Sequence, residues 1–466
     1  AFALYESKKK KLLLARDRIG IKPLYYTIVG GLLIFGSEIK SILQYDGINR
    51  EIDKEGLSSY LTFGSVLGDK TLFKGIKKLE PGYILTYDGN RILTKKYYIM
   101  REEILYHNED IAAKRLRQLL EESVNSQLMS DVPLGAFLSG GIDSSTVVGL
   151  MSRIVSRPVK TFTVGFGRSD DELKYAKIAS EHFSTDHREI MVCPKDVPPI
   201  ISKLVWHYDD LIWDAASVPT YFVSEFARKY VKVVLTGEGG DELFAGYNRY
   251  KPFSPYMALI PIPLKKYMFD KFVRLFDADD RERIYKFGKS YSENIENNYF
   301  KMKPILKGVL MFGRNETLPN QLLTKVDRAS MAASLEARVP LLDNRMIDFS
   351  DSIPLSMKLK GFLGKYIIRK AVKDLVPTEI IKRKKQGFGA SALQWFTNPE
   401  VMEFAENVLD RPHILLEGLD YSYVNSLMKL KGIRKGRQAY QLWSLLELEI
   451  WYRTFIEGNG SRQVKL

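Results

Sequence analysis

Apolar positions change their spacing along the 466 residues, and the changes divide the chain. Over residues 1–100 they come as short runs, Leu12–Ala15, Leu24–Ile28, Leu32–Phe35 and Tyr83–Tyr87. Turn signals such as Gly30-Gly31 and Asp88-Gly89-Asn90 separate them, a pattern that predicts strands. Ala1–Tyr5 reads as a strand already in progress, which leads to the expectation of a cut rather than native N-terminus. The texture changes around residues 100–110. From Ile111 to Leu128, apolar residues fall at 116, 119, 120, 124 and 128, which is helical spacing.

Strand-like and helix-like segments then alternate. Val132–Leu138 predicts a strand, Ser144–Ser156 a helix, Lys160–Phe166 a strand, Asp171–Phe183 a helix and Arg188–Val192 a strand. A long helical stretch leads to Val231–Leu235, and helices dominate beyond about Pro261. This alternation implies βαβ units and a parallel sheet, whose ligands sit at the carboxyl ends of the strands. The fold class is α/β, a parallel-sheet domain with a helical C-terminal part, preceded by a β-rich remnant. The expected division is residues 1–105 and 106–455.

Composition narrows the classes. A hydrophobic content of 45% supports two or three domains with real cores. No apolar run reaches membrane length, and the stretch Lys11–Ala15 is too short for a secretory signal. The single cysteine, Cys193, excludes an internal disulfide and a cysteine-rich zinc site, reads as a small buried residue, and points to a reducing cytoplasm. The net charge of +14 is spread along the chain. Its densest runs, Lys8–Lys11 and Lys382–Lys385, lack interleaved aromatics and read as solvated faces, so no nucleic-acid partner and no membrane are expected.

The strongest chemical signal is Leu138-Ser139-Gly140-Gly141-Ile142-Asp143-Ser144-Ser145, which follows a strand and opens a helix. Two glycines let the backbone approach a ligand, and the helix N-terminus adds partial positive charge. Asp143 would repel a bare phosphate, so it implies a bridging Mg²⁺. The plain alternative is a tight turn with Asp and Ser as caps. A second loop, Leu235-Thr236-Gly237-Glu238-Gly239-Gly240-Asp241-Glu242, crowds three carboxylates after a strand. Such crowding is costly unless a cation or proton is shared. Metal binding by Asp241 and proton transfer by Glu238 would justify it, against an acidic loop capping a helix Asp241–Tyr247. The third string runs from Leu323-Thr324-Lys325-Val326-Asp327-Arg328 through Ser334-Leu335-Glu336-Ala337-Arg338-Val339-Pro340. Alone it reads as an amphipathic helix with paired charges.

Ser139–Ser144 resembles the PP-loop of ATP pyrophosphatases, which release pyrophosphate and leave AMP on the substrate. With the other two strings it resembles the asparagine synthetase family. Ala15–Tyr25 and Gly36–Lys40 look like the C-terminal part of a class II (Ntn-type) glutaminase domain. The resemblance covers roughly residues 1–400, in family order. It implies that Ser139, Gly140, Gly141, Asp143 and Ser144 hold the pyrophosphate end of ATP, with Leu138, Val164 and Gly237 near the nucleoside. It further implies Mg²⁺ on Asp143 and Asp241, Glu238 as the base that deprotonates incoming ammonia, and Lys365 facing the phosphates. Aspartate is the implied acid, placed near Asp214–Pro219, with ammonia normally drawn from glutamine. Self-association into a homodimer stays open.

A class II glutaminase uses an N-terminal cysteine whose own amine is the base. Position 1 is Ala1, and Cys193 is mid-chain, so no glutaminase nucleophile is expected in this chain. Other readings remain: an amide-forming ligase for a sugar acid, peptide or β-amino acid, a tRNA-modifying PP-loop protein, or a non-catalytic scaffold. The tRNA reading lacks a separate basic domain, and Asp143, Glu238 and Asp241 speak against a scaffold. Gly387-Phe388-Gly389-Ala390-Ser391-Ala392 fits a dinucleotide fingerprint but follows a basic run rather than a strand. His182 and His187, five apart, are expected to be structural or surface residues.

Overall fold

The computed structural model describes residues 1–100, 103–167, 172–284, 291–385, 392–414, 419–429, 435–458 and 460. The dinucleotide-like string is outside these, apart from Ala392.

The N-terminal part carries two antiparallel sheets. One pairs β1 (Phe2–Glu6), β2 (Lys11–Ala15), β6 (Tyr83–Tyr87) and β7 (Ile92–Lys96) in that order. The other pairs β4 (Leu32–Gly36), β3 (Tyr25–Val29) and β5 (Lys77–Lys78). Leu14, Leu24, Leu79 and Leu85 form a small core with Tyr26 and Leu33 packed on it, so alternate strand residues of both sheets are buried together.

The larger part is built on a five-stranded sheet ordered β10 (Asp186–Met191), β9 (Lys160–Gly165), β8 (Leu134–Phe137), β11 (Val233–Leu235) and β12 (Glu336–Arg338). Every pairing in it is parallel. The period-2 rule decides its two faces. Val233 and Leu235 enter one core with the helices Glu109–Gln127 and Ile142–Ile154, while Val234 enters the other with Pro198–Tyr208 and Ser217–Arg228. Both faces are therefore covered, as a parallel sheet requires. The helix Lys435–Tyr452 seals the second core with Trp443 and Trp451, and the Trp451 indole N–H donates to the Asp209 carbonyl at 2.8 Å.

Three local expectations fail. The segment after Gly239 forms only the four-residue helix Gly240–Leu243, because Ala245 turns into the left-handed region with φ 57°. The string Ser334–Arg338 is not helical. The helix Leu323–Ala332 ends, Ser334 takes φ 57°, and Glu336–Arg338 pairs with β11 as an edge strand. Cys193 is exposed, since it caps the short turn Pro194–Asp196 at the surface, its N–H donating to Asp196 Oδ2 at 3.0 Å.

Candidate active site

The loops after the neighbouring strands β8 and β11 meet at their carboxyl ends, over a cavity of about 1220 Å³. Glycines bring them together. A Cβ on Gly237 would stand 2.7 Å from the Ser144 N, and one on Gly240 would stand 2.5 Å from Asp143 Oδ1. Gly140, at φ 64°, presses against helix Leu173–Phe183, where a Cβ would be 2.3 Å from the Tyr175 carbonyl carbon. A Cβ on Gly141 would meet only the Ser139 hydroxyl, at 3.4 Å, and Gly141 caps the helix Ile142–Ile154 without a side-chain bond. Its first-turn N–H groups thus face a site suited to an anion. The Ser139 and Ser144 hydroxyls lie 3.2 Å apart beside it.

Charges in the cavity are arranged around Lys365. Its backbone is left-handed at φ 54°, and its N–H donates to the Phe244 carbonyl at 2.8 Å. Its ammonium bridges Asp143 Oδ2 and, at 2.6 Å, Asp241 Oδ1. Lys385 adds a second cation, 2.7 Å from Asp241 Oδ2. Burial raises the Asp143 carboxyl, with Lys365 opposing and Asp241 adding to the rise. Burial also resists ionisation of Asp241, but Lys365 and Lys385 outweigh it and hold that carboxyl below the usual range. Asp143 Oδ1 remains buried without a hydrogen-bond partner.

Glu238 differs from both. It lines the cavity and has no hydrogen-bond or ion-pair partner among the described residues. Enclosure raises its pKa, opposed by Lys325 and Lys385. Lys325 is itself tied to Asp214 at 2.9 Å, which places the Asp214–Pro219 segment beside Glu238. The result is a carboxyl that holds a proton more readily than an exposed one.

The predicted residues Leu138, Ser139, Gly141, Asp143, Ser144, Val164, Gly237, Glu238, Asp241 and Lys365 all line this one cavity. Gly140 does not; its glycine requirement comes from the neighbouring helix. Sequence reasoning missed Lys385 and Arg383, because Lys382–Lys385 reads as a solvated face. Instead the segment turns inward: Arg383 donates to the Ser139 carbonyl at 3.0 Å and its guanidinium lies 4.2 Å from the Tyr175 ring centre. No local pattern marks them, since Lys382 and Lys384 line the same cavity and the Lys385 side chain keeps 36% exposure. His182 and His187 are structural, contacting the Leu375 carbonyl and the Thr161 hydroxyl.

The third string has two tasks. Lys325 faces the cavity, while Asp327 and Arg328 hold the N-terminal part. Lys22 Nζ lies 2.6 Å from Asp327, and Arg328 meets the Ser37 carbonyl and, at 3.0 Å, Glu38. Lys40 extends the contact to buried Asp209 at 3.2 Å.

A loop suited to an anion beside an unpaired carboxyl fits activation of an acid by ATP and its capture by an amine. The class so defined is the ATP-dependent, amide-forming ligases. Residues 115–453 match the family model Asparagine synthase, and the chain belongs to that family. Residues 1–98 match a glutamine amidotransferase domain. The chain is 32% identical to asparagine synthetase [glutamine-hydrolyzing] 1 of Bacillus subtilis (strain 168), across 98% of this chain and 77% of that protein. A putative asparagine synthetase [glutamine-hydrolyzing] of Mycobacterium bovis is 29% identical across all of this chain and 78% of its own length. Amidase chyE of Penicillium rubens is 26% identical across 86% of this chain and 70% of its own. Among the described residues, no helix is long and apolar enough to cross a membrane.

Proposed function

We propose that this chain makes asparagine from aspartate through a β-aspartyl-AMP intermediate. Residues 1–105 are the C-terminal part of a class II glutaminase domain in this reading, and residues 106–455 form the synthetase. The observation that carries it is the contrast across one cavity: two carboxylates held on lysines, and Glu238 left unpaired.

The Ser139 and Ser144 hydroxyls and the first-turn N–H groups of helix Ile142–Ile154 hold the pyrophosphate end of ATP. Lys365 and Lys385 face the same end and balance its charge. An aspartate carboxylate oxygen attacks the α-phosphorus, and the bond to pyrophosphate breaks. Ammonia, normally drawn from glutamine, then attacks the acyl carbon and the C–O bond to AMP breaks. Glu238 takes the proton that the nitrogen loses. Asp143 and Asp241 would hold Mg²⁺, and the unpartnered Asp143 Oδ1 fits a hard cation. When bound, that ion neutralises charge on the phosphates.

ATP–pyrophosphate exchange with a panel of carboxylic acids tests the substrate. Exchange that depends on aspartate supports the proposal. Exchange with a β-amino acid or peptide acid instead moves the chain to another ligase of this architecture.

A further inference from the structure

A second cavity, of about 410 Å³, lies outside the site described above. It is lined by the helix Ile305–Phe312, the end of the helix Asn344–Asp351 and the segment 353–358, with Leu243, Leu310, Met311 and Ile353 among its apolar walls. The volume is that of a small-ligand pocket. Lys358 lines it, is only 7% exposed, and has no hydrogen bond or ion pair among the described residues. Burial pushes its ammonium down to about 8, with Asp351 pulling the other way, so it is mostly charged at neutral pH and lacks a counter-ion. An unpaired buried cation is costly, and an anion in the cavity would relieve that cost.

The remaining charges limit which anion fits. Arg314 is committed to Asp351, its Nη1 donating to Oδ1 at 2.6 Å. Lys307 and Arg314 are set against Asp351 and Glu242 in the same lining, which leaves Lys358 as the excess positive charge and suits a monoanion better than a dianion. We propose that this cavity binds a small monocarboxylate with an apolar body, its carboxylate on Lys358 and its body against Leu310, Met311 and Ile353. Glu242 also belongs to the short helix that carries Asp241, so the occupant is a close neighbour of the adenylation site.

Hexanoate is the probe, with hexanamide and butylmalonate as neutral and dianionic controls, titrated calorimetrically into the full chain. Hexanoate should bind, and each control should bind at least about tenfold more weakly. Lys358→Met should lose at least about tenfold in affinity, the value of one charge-assisted contact. Ile104→Trp, a change at a partly exposed lining residue, should block binding in a chain that melts normally, and keeps the test decisive if Lys358→Met does not fold. Equal binding to folded Lys358→Met, equal binding of hexanamide, no hexanoate binding to the wild-type chain, or displacement of hexanoate by ATP would each overturn the proposal.

Discussion

Gly237→Ala isolates the meeting of the two loops from their chemistry. Gly237 has no positive φ, so alanine is not strained there and only the added methyl matters. That methyl would stand 2.7 Å from the Ser144 N and 3.0 Å from the Asp143 Cβ. Ordinary contact begins near 3.4 Å, so the loops must part by the difference between 3.4 and 2.7 Å, about 0.7 Å. Misplacement of about 1 Å can cost on the order of 100-fold in rate, which puts the loss here between about 10- and 100-fold. Overpacking of this kind costs about 1–3 kcal/mol, which leaves the protein folded at room temperature. The assay is aspartate-dependent ATP–pyrophosphate exchange beside a urea melt. Gly436→Ala is the control. Its methyl meets nothing within 4 Å, so exchange should stay unchanged and the helix should gain up to about 1 kcal/mol. A folded Gly237→Ala protein with exchange within about twofold of wild type would refute the reasoning, because the close approach would then carry no catalytic geometry.

Glu238→Gln should lower ammonia-dependent amide formation about 100- to 10,000-fold while sparing ATP–pyrophosphate exchange, since the base acts only after adenylation. The wild-type rate should fall as pH drops through the pKa of Glu238, which enclosure raises, and the two rates measured across pH check both statements. Lys385→Met removes one of two cations from Asp241 and should cut exchange by about 100-fold or more, with arginine restoring part of it. Glu316 is pushed up to about 7 by burial, despite hydrogen bonds from the Gly68 N–H and the Tyr299 hydroxyl. Its folded pKa exceeds the unfolded one, so it favours the folded state below about 4.5, and that contribution fades as pH rises to about 7. Urea midpoints should show wild type losing on the order of 3 kcal/mol relative to Glu316→Gln between pH 4.5 and 8.

Much of what the residues announced locally is what they formed, the helix cut short at Ala245 excepted. The parallel sheet was legible because runs such as Lys160–Phe166 and Val231–Leu235 alternate with helical spacing, and because glycines follow β8 and β11. The site was legible for the same reason, since Ser139–Ser144 and Gly237–Asp241 carry their chemistry within one turn. The misses are long-range. Glu336–Arg338 becomes a strand only because β11 offers a free edge, more than 100 residues away, opposite Val233–Leu235. Asp327 and Arg328 look like helix-surface charges until Lys22 and Glu38 arrive from the other end of the chain. Lys385 looks solvated until Asp241 draws it in. In each case the partner that decides the role is invisible in the local pattern.

The central claim is that this cavity activates a carboxylate by adenylation and passes it to ammonia. It is tested most directly by incubating the chain with aspartate, ¹⁵N-ammonium and ATP labelled on the α-phosphate, then identifying both products. The account predicts labelled AMP in equal amount to ¹⁵N-amide asparagine, with pyrophosphate released. Labelled ADP accumulating in step with amide would contradict it, because the acid would then have been activated by γ-phosphoryl transfer, for which the Ser139–Ser144 loop is not built.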